Sequence, residues 1–124
     1  MTEHYGALGD EYILSPEEIA QFHREGYVTL RVVMSEAELA GSEPVYERFI
    51  SGGVPGMGRD YCDMSGPYDR APEDFSLVNA VLPRRYEPAL RGNLFERRAA
   101  SVSRQLIGAT ATLDYDQFLA KLPE

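Results

Sequence analysis

Two histidines, His4 and His23, and one cysteine, Cys62, carry all the imidazole and thiol chemistry open to this 124-residue chain. His23 has Glu25 two positions on, which formally reads as a metal-binding HxE pair. The surrounding residues predict a helix, however, and helical positions i and i+2 point about 200° apart, so the pair cannot close on one ion. His23 therefore reads as a packing or surface residue. His4 has no carboxylate at ligand spacing. Cys62 stands between Tyr61 and Asp63, where an acidic neighbour raises a thiol pKa and no histidine is close in sequence, which disfavours a nucleophilic role. A single cysteine also excludes an internal disulfide and a cysteine-based zinc site, and it fits a reducing cytosol. Asp114 and Asp116 would share one strand face and could grip a hard cation, but such sites need about six or more oxygens and nothing nearby supplies them. A solvated edge explains them better. Arg97-Arg98 at a helix start could meet a carboxylate or a CoA phosphate, or pair with nearby acids.

The stretch that would position chemistry is Leu113 to Glu124. Tyr115, Phe118 and Leu119 favour a strand, with Gly108 before it and Pro123 after it. Side chains two apart share a strand face, so Leu113, Tyr115, Gln117, Leu119 and Lys121 look one way and Asp114, Asp116, Phe118 and Ala120 the other. A glutamine and a lysine among apolar neighbours suggest a face lining a cavity.

The rest of the chain must supply the frame. Its length suits one domain, residues 1–124, with a single core. Twelve basic against twenty acidic residues leave a net charge of −8, which repels nucleic acid and anionic membranes. No basic, apolar leader and no apolar run of about 20 residues is present, so a soluble, cytoplasmic protein is expected. Positive charge gathers from Arg84 to Ala109, where it could meet an anion or pair with the acidic half. Residues 1 to 13 read as an extended lead-in. Ser15, Pro16 and Glu18 form a capping box opening a helix that Gly26 ends. Tyr27 to Val33 reads as a β-branched strand. Ser35 and Glu38 repeat the capping logic for a second helix running to Ile50, which Pro44 should kink or divide. Gly52 to about Pro72 reads as a long loop. Phe75 to Leu82 reads as a strand, with Leu77, Asn79 and Val81 on one face and Val78 and Ala80 on the other. A helix capped by Asn93, striped by Phe95, Ala99, Val102 and Leu106 and ended by Gly108, precedes the last strand.

Two of these segments carry a family resemblance. The run from Ile13 to Leu39 resembles the N-terminus of phytanoyl-CoA dioxygenase-like proteins, which are non-haem iron, 2-oxoglutarate-dependent oxygenases built on a double-stranded β-helix, or jelly roll. Leu94 to Pro123 is similar to the family's helix and to the strand just ahead of its metal motif, with Leu122 where the family more often has lysine before proline. The resemblance spans most of the chain from Ile13 onward. It implies an α+β chain forming the N-terminal part of a jelly roll with flanking helices, incomplete by itself, since three visible strands cannot close a jelly roll of eight.

The implied activity is hydroxylation or oxidation of a small organic molecule, with 2-oxoglutarate giving succinate and CO₂. The family holds iron(II) with two histidines and a carboxylate. Its HxD would be expected shortly after Glu124, and its 2-oxoglutarate arginine later still, so no metal ligand is assigned in this chain. The resemblance implies one surviving cosubstrate contact at Gln117 and a weaker one at Asn79. The expected partners are a small-molecule substrate and a second chain or second copy covering exposed strands. The competing expectations are a metal-free descendant acting as a ligand-binding or oligomerisation module, and a metal-independent catalyst using Tyr115 or Asp116.

Overall fold

The capping box read at Ser15 forms as its spacing predicts. The Ser15 hydroxyl accepts the Glu18 N–H at 3.1 Å while the Glu18 carboxylate accepts the Ser15 N–H at 2.8 Å, which satisfies two otherwise orphaned donors at the head of α1 (Pro16–Glu25). Gly26 ends the helix in the left-handed region, φ 81°, its N–H donating to the Phe22 C=O. The structure, a computed structural model, describes residues 4–67 and 69–123. The chain folds as two compact units, one of Met1–Glu38 with Arg91–Leu113 and one of Leu39–Leu90 with Asp114–Glu124.

In the first unit the lead-in is a hairpin. β1 (Gly6–Leu8) and β2 (Glu11–Ile13) pair antiparallel, Ala7 opposite Tyr12. The open side of β2 is met by α4 (Leu94–Ile107), whose N-cap is Asn93 as expected. Two polar side chains one turn apart stand in for a partner strand there. Ser101 Oγ accepts the Tyr12 N–H, and Gln105 bonds both the Leu14 N–H (2.9 Å) and the Tyr12 C=O (2.6 Å). The expected apolar stripe on α4 is corrected in part: Ala99, Val102 and Leu106 are half-buried and Phe95 is exposed, while the buried residues are Arg98 and Ser101. The strand read at Tyr27–Val33 does not form either. Tyr27 and Val32 are 59% and 72% exposed, and Val32 sits at φ 51°. β-Branched residues favour a strand because they pack on a pleated, half-buried surface, and here no ladder offers one.

In the second unit α2 (Glu36–Ile50) continues through Pro44 rather than breaking. Pro44 and Ala40 are both exposed, so the Ala40 carbonyl that loses its helical donor faces water. The Ser35–Glu38 box forms at its start, and the Gly52 and Gly53 N–H groups close its end on Phe49 and Arg48. β3 (Tyr61–Asp63) lies inside the stretch read as loop, and pairs antiparallel with β4 (Leu77–Val81), which pairs antiparallel with β5 (Gln117–Lys121). β4 and β5 are shorter than read at both boundaries. α3 (Pro83–Tyr86) follows β4, with Leu82 at φ 53° as its N-cap and the Asp116 carboxylate accepting the Arg84 N–H. The core is Phe49, Met57 and Ala80, with Val45, Val54, Tyr61, Tyr86, Leu90 and Phe118 packed round them. The described residues thus make a mixed α+β chain with four α-helices and two small antiparallel sheets. None of the described helices is long and apolar enough to cross a membrane.

Candidate functional site

The register of the three-stranded sheet decides which side chains meet. Cys62, Asn79 and Leu119 stand opposite one another across β3, β4 and β5, and Gln117 stands opposite Val81. Opposed residues share a face, and residues two apart on a strand share it again. One face therefore carries Cys62, Leu77, Asn79, Val81, Gln117, Leu119 and Lys121. The other carries Tyr61, Val78, Ala80 and Phe118 and turns to the core. The face alternation read from the sequence holds over both strands, but the residues from Leu113 to Asp116 lie outside β5, so Tyr115 and Leu113 are not part of its face.

Both residues that the sequence singled out, Asn79 and Gln117, thus come to the same face as diagonal neighbours. Their settings differ. Asn79 is 4% exposed, its side chain hydrogen-bonds Cys62, and its Oδ1 is buried with no hydrogen-bond partner. Leaving a buried amide oxygen unpaired costs about 1–3 kcal/mol, so such an atom marks either a strained spot or a position where another group belongs. Gln117 is exposed, and its Oε1 accepts from the Tyr115 hydroxyl at 3.2 Å, which leaves its Nε2 as a donor on the shared face.

Cys62 joins this site through tertiary pairing alone. Burial pushes its thiol pKa up, the Asn79 hydrogen bond opposes this, and the charges of Asp63 and Asp60 add to the rise. The group is a neutral thiol at physiological pH, not a nucleophilic thiolate. No local signal in the sequence could have placed it here, because β3 is three residues inside a Gly- and Pro-rich stretch.

The remaining candidates are accounted for by local structure. Asp63, 2% exposed, accepts from the Ser65 N–H and hydroxyl, the Ser76 and Leu77 N–H groups and the Arg70 guanidinium. The Ser65 hydroxyl above all holds its carboxyl far below the usual range. Arg98 forms two bonds with Glu38, at 2.8 and 2.9 Å, and donates to the Gly9 and Val33 carbonyls. Arg97 pairs with Asp10 and Arg85 with Asp60. These partners are acids and carbonyls of the chain itself. His23 is exposed on α1 with Phe22 edge-on against its ring, and His4 bonds the Ala7 carbonyl. Asp116 accepts the Arg84 N–H through one carboxylate oxygen, and its Oδ1 is buried without a hydrogen-bond partner.

Among the described residues no group of three His, Cys, Asp or Glu side chains is placed to hold a metal ion. Compared with family models, curated proteins and solved structures, the chain matches none.

Proposed function

We propose that this chain is the N-terminal part of an iron(II)- and 2-oxoglutarate-dependent oxygenase of the phytanoyl-CoA dioxygenase-like kind, acting on a small organic molecule. Its three-stranded sheet is then a portion of a double-stranded β-helix. The metal ligands come from outside these residues, and no step of the oxidation is assigned to them. Their part is to hold the cosubstrate. The observation that carries the reading is the convergence of Asn79 and Gln117 on one sheet face, where Gln117 keeps its Nε2 as a donor.

Calorimetric titration of the purified chain tests it. 2-Oxoglutarate is expected to bind weakly and saturably, and Gln117→Ala to abolish the signal, while iron(II) alone gives none. A flat 2-oxoglutarate titration would remove the cosubstrate role, and tight iron binding by this chain would contradict the ligand assignment.

A second reading, an oligomerisation module, has its own observation. β5 is an edge strand whose bonded pairs with β4 flank it at Leu82 N–H to Asp116 C=O and Leu122 N–H to Ser76 C=O. Antiparallel bonding alternates, so the Gln117 and Leu119 backbone groups point away from β4. Tyr46 caps the Leu119 carbonyl, and Leu119 and Leu122 are 41% and 40% exposed beside this edge. Such an edge can pair with a second copy. Sedimentation over a concentration series would show a monomer–dimer equilibrium shifted by Leu119→Lys, and a monomer at every concentration would exclude it.

A further inference from the structure

β5 forms one edge of the three-stranded sheet, since β4 takes only one of its sides. Its pairing with β4 is bonded at Asp116 and at Leu122, and bonded residues alternate along an antiparallel strand. Phe118 and Ala120 therefore bond to β4, while the Leu119 N–H and C=O lie in the sheet plane and point outward. That outward carbonyl is already engaged. The Tyr46 hydroxyl, carried by α2, donates to it at 3.1 Å, and the Tyr46 ring is set edge-on against Phe118, centroids 5.4 Å apart, on the core face. Paired strands stand about 4.8 Å apart, so a hydroxyl 3.1 Å from an edge carbonyl occupies space that the next strand needs.

The occupant that fits this edge is a second β5. A two-fold axis through Leu119, the middle residue of Gln117–Lys121, pairs the whole strand. Phe118 of each copy then stands opposite the small Ala120 of the other, the exposed Leu119 side chains meet on the outer face, and Gln117 stands opposite Lys121. The outer face of Gln117, Leu119 and Lys121 runs polar, apolar, polar and so reads the same in reverse, as an isologous contact requires. The two residues on the axis exchange a pair of N–H···O=C bonds, and each bond ends on a Leu119 carbonyl. We infer that Tyr46 guards this edge: its hydroxyl holds the Leu119 carbonyl and so sets how readily β5 pairs antiparallel with β5 of a second copy. The choice of partner rests on the oligomerisation reading above; the guard adds the residue that regulates it.

Tyr46→Phe tests the guard, because the ring keeps its place against Phe118 and only the hydroxyl is lost; circular dichroism checks the fold. Sedimentation of native protein, Tyr46→Phe and the double variant Tyr46→Phe/Leu119→Lys over one concentration series measures the dimer. Tyr46→Phe is expected to tighten the dimer about 10-fold, the effect of one neutral hydrogen bond released in each copy, and the added lysine to return a monomer. Hydrogen exchange locates the contact. At concentrations where the dimer forms, the Leu119 amide should slow, while the Phe118 and Ala120 amides, already bonded to β4, change less. If native protein dimerises and Tyr46→Phe leaves the dissociation constant unchanged or raises it, the guard is overturned and the oligomerisation reading stands. A dimer in which Leu119 exchange is not slowed overturns β5 as the contact. If native protein and Tyr46→Phe are both monomers at every concentration, the guard and the oligomerisation reading fall together.

Discussion

At the scale of single residues, two charged side chains do more for the structure than their exposed neighbours. Arg98 is 5% exposed and joins β1–β2, the Val33 segment and Glu38 in one network, whereas Arg97 beside it meets Asp10 at the surface. Exposed ion pairs contribute little, and buried ones cost heavily when one partner is removed. Arg98→Met is therefore expected to lower the thermal midpoint by several times the effect of Arg97→Met, measured by circular dichroism. Asp63 gathers donors from Ser65, Arg70, Ser76 and Leu77 and so fixes both ends of the segment between β3 and β4. Asp63→Asn places N–H groups against several of these donors. Hydrogen exchange should accelerate at Ser65, Ser76 and Leu77, and unchanged protection there would show that the carboxylate does not order the segment.

At the scale of elements, capping chemistry was the most legible feature of the chain. Serine, proline and glutamate at fixed offsets satisfy local donors, and that arithmetic needs nothing distant. Ser15→Ala is expected to cost about 1 kcal/mol, read as a shift in the urea midpoint, with Ser15→Asp restoring most of it. Strands were less legible because their stability lies in a partner. Tyr27–Val33 has the residues of a strand and no ladder, while β3, with an unremarkable sequence, has one in β4. Helix α4 was placed correctly at both ends by Asn93 and Gly108, yet its buried face was misjudged. The free edge of β2 made Ser101 and Gln105 worth burying, and a hydrophobic count cannot register a backbone that wants hydrogen bonds.

At the scale of the whole molecule, the apolar centre of the second unit rests on Phe49, which is fully buried and tilted against Phe118 at 5.5 Å. Phe49→Ala removes a large side chain that no neighbour can replace and is expected to cost about 3–5 kcal/mol in urea unfolding. Acid should act through carboxyls held low in the fold. The Arg98 hydrogen bond, with Ser35, brings Glu38 down to about 2, Ser65 holds Asp63 lower still, and Arg48 lowers Glu87. Each folded value lies beneath the unfolded one of about 4. These charges therefore favour folding above about pH 4, and that contribution is lost as pH falls toward the folded values. The thermal midpoint should decline from about pH 4 toward pH 2, and Asp63→Asn should flatten the decline.

The sequence by itself determined the helix starts and stops and the strand faces of β4 and β5, because each depends on neighbours within a few positions; Asn79 and Gln117 were singled out by the family resemblance. Tertiary structure alone decided that these two share a face, that Asn79 lies buried with an unpaired oxygen, and that Cys62 stands beside it. Those facts follow from the register between strands that are far apart in the chain, and register is set by pairing and packing that no local pattern contains.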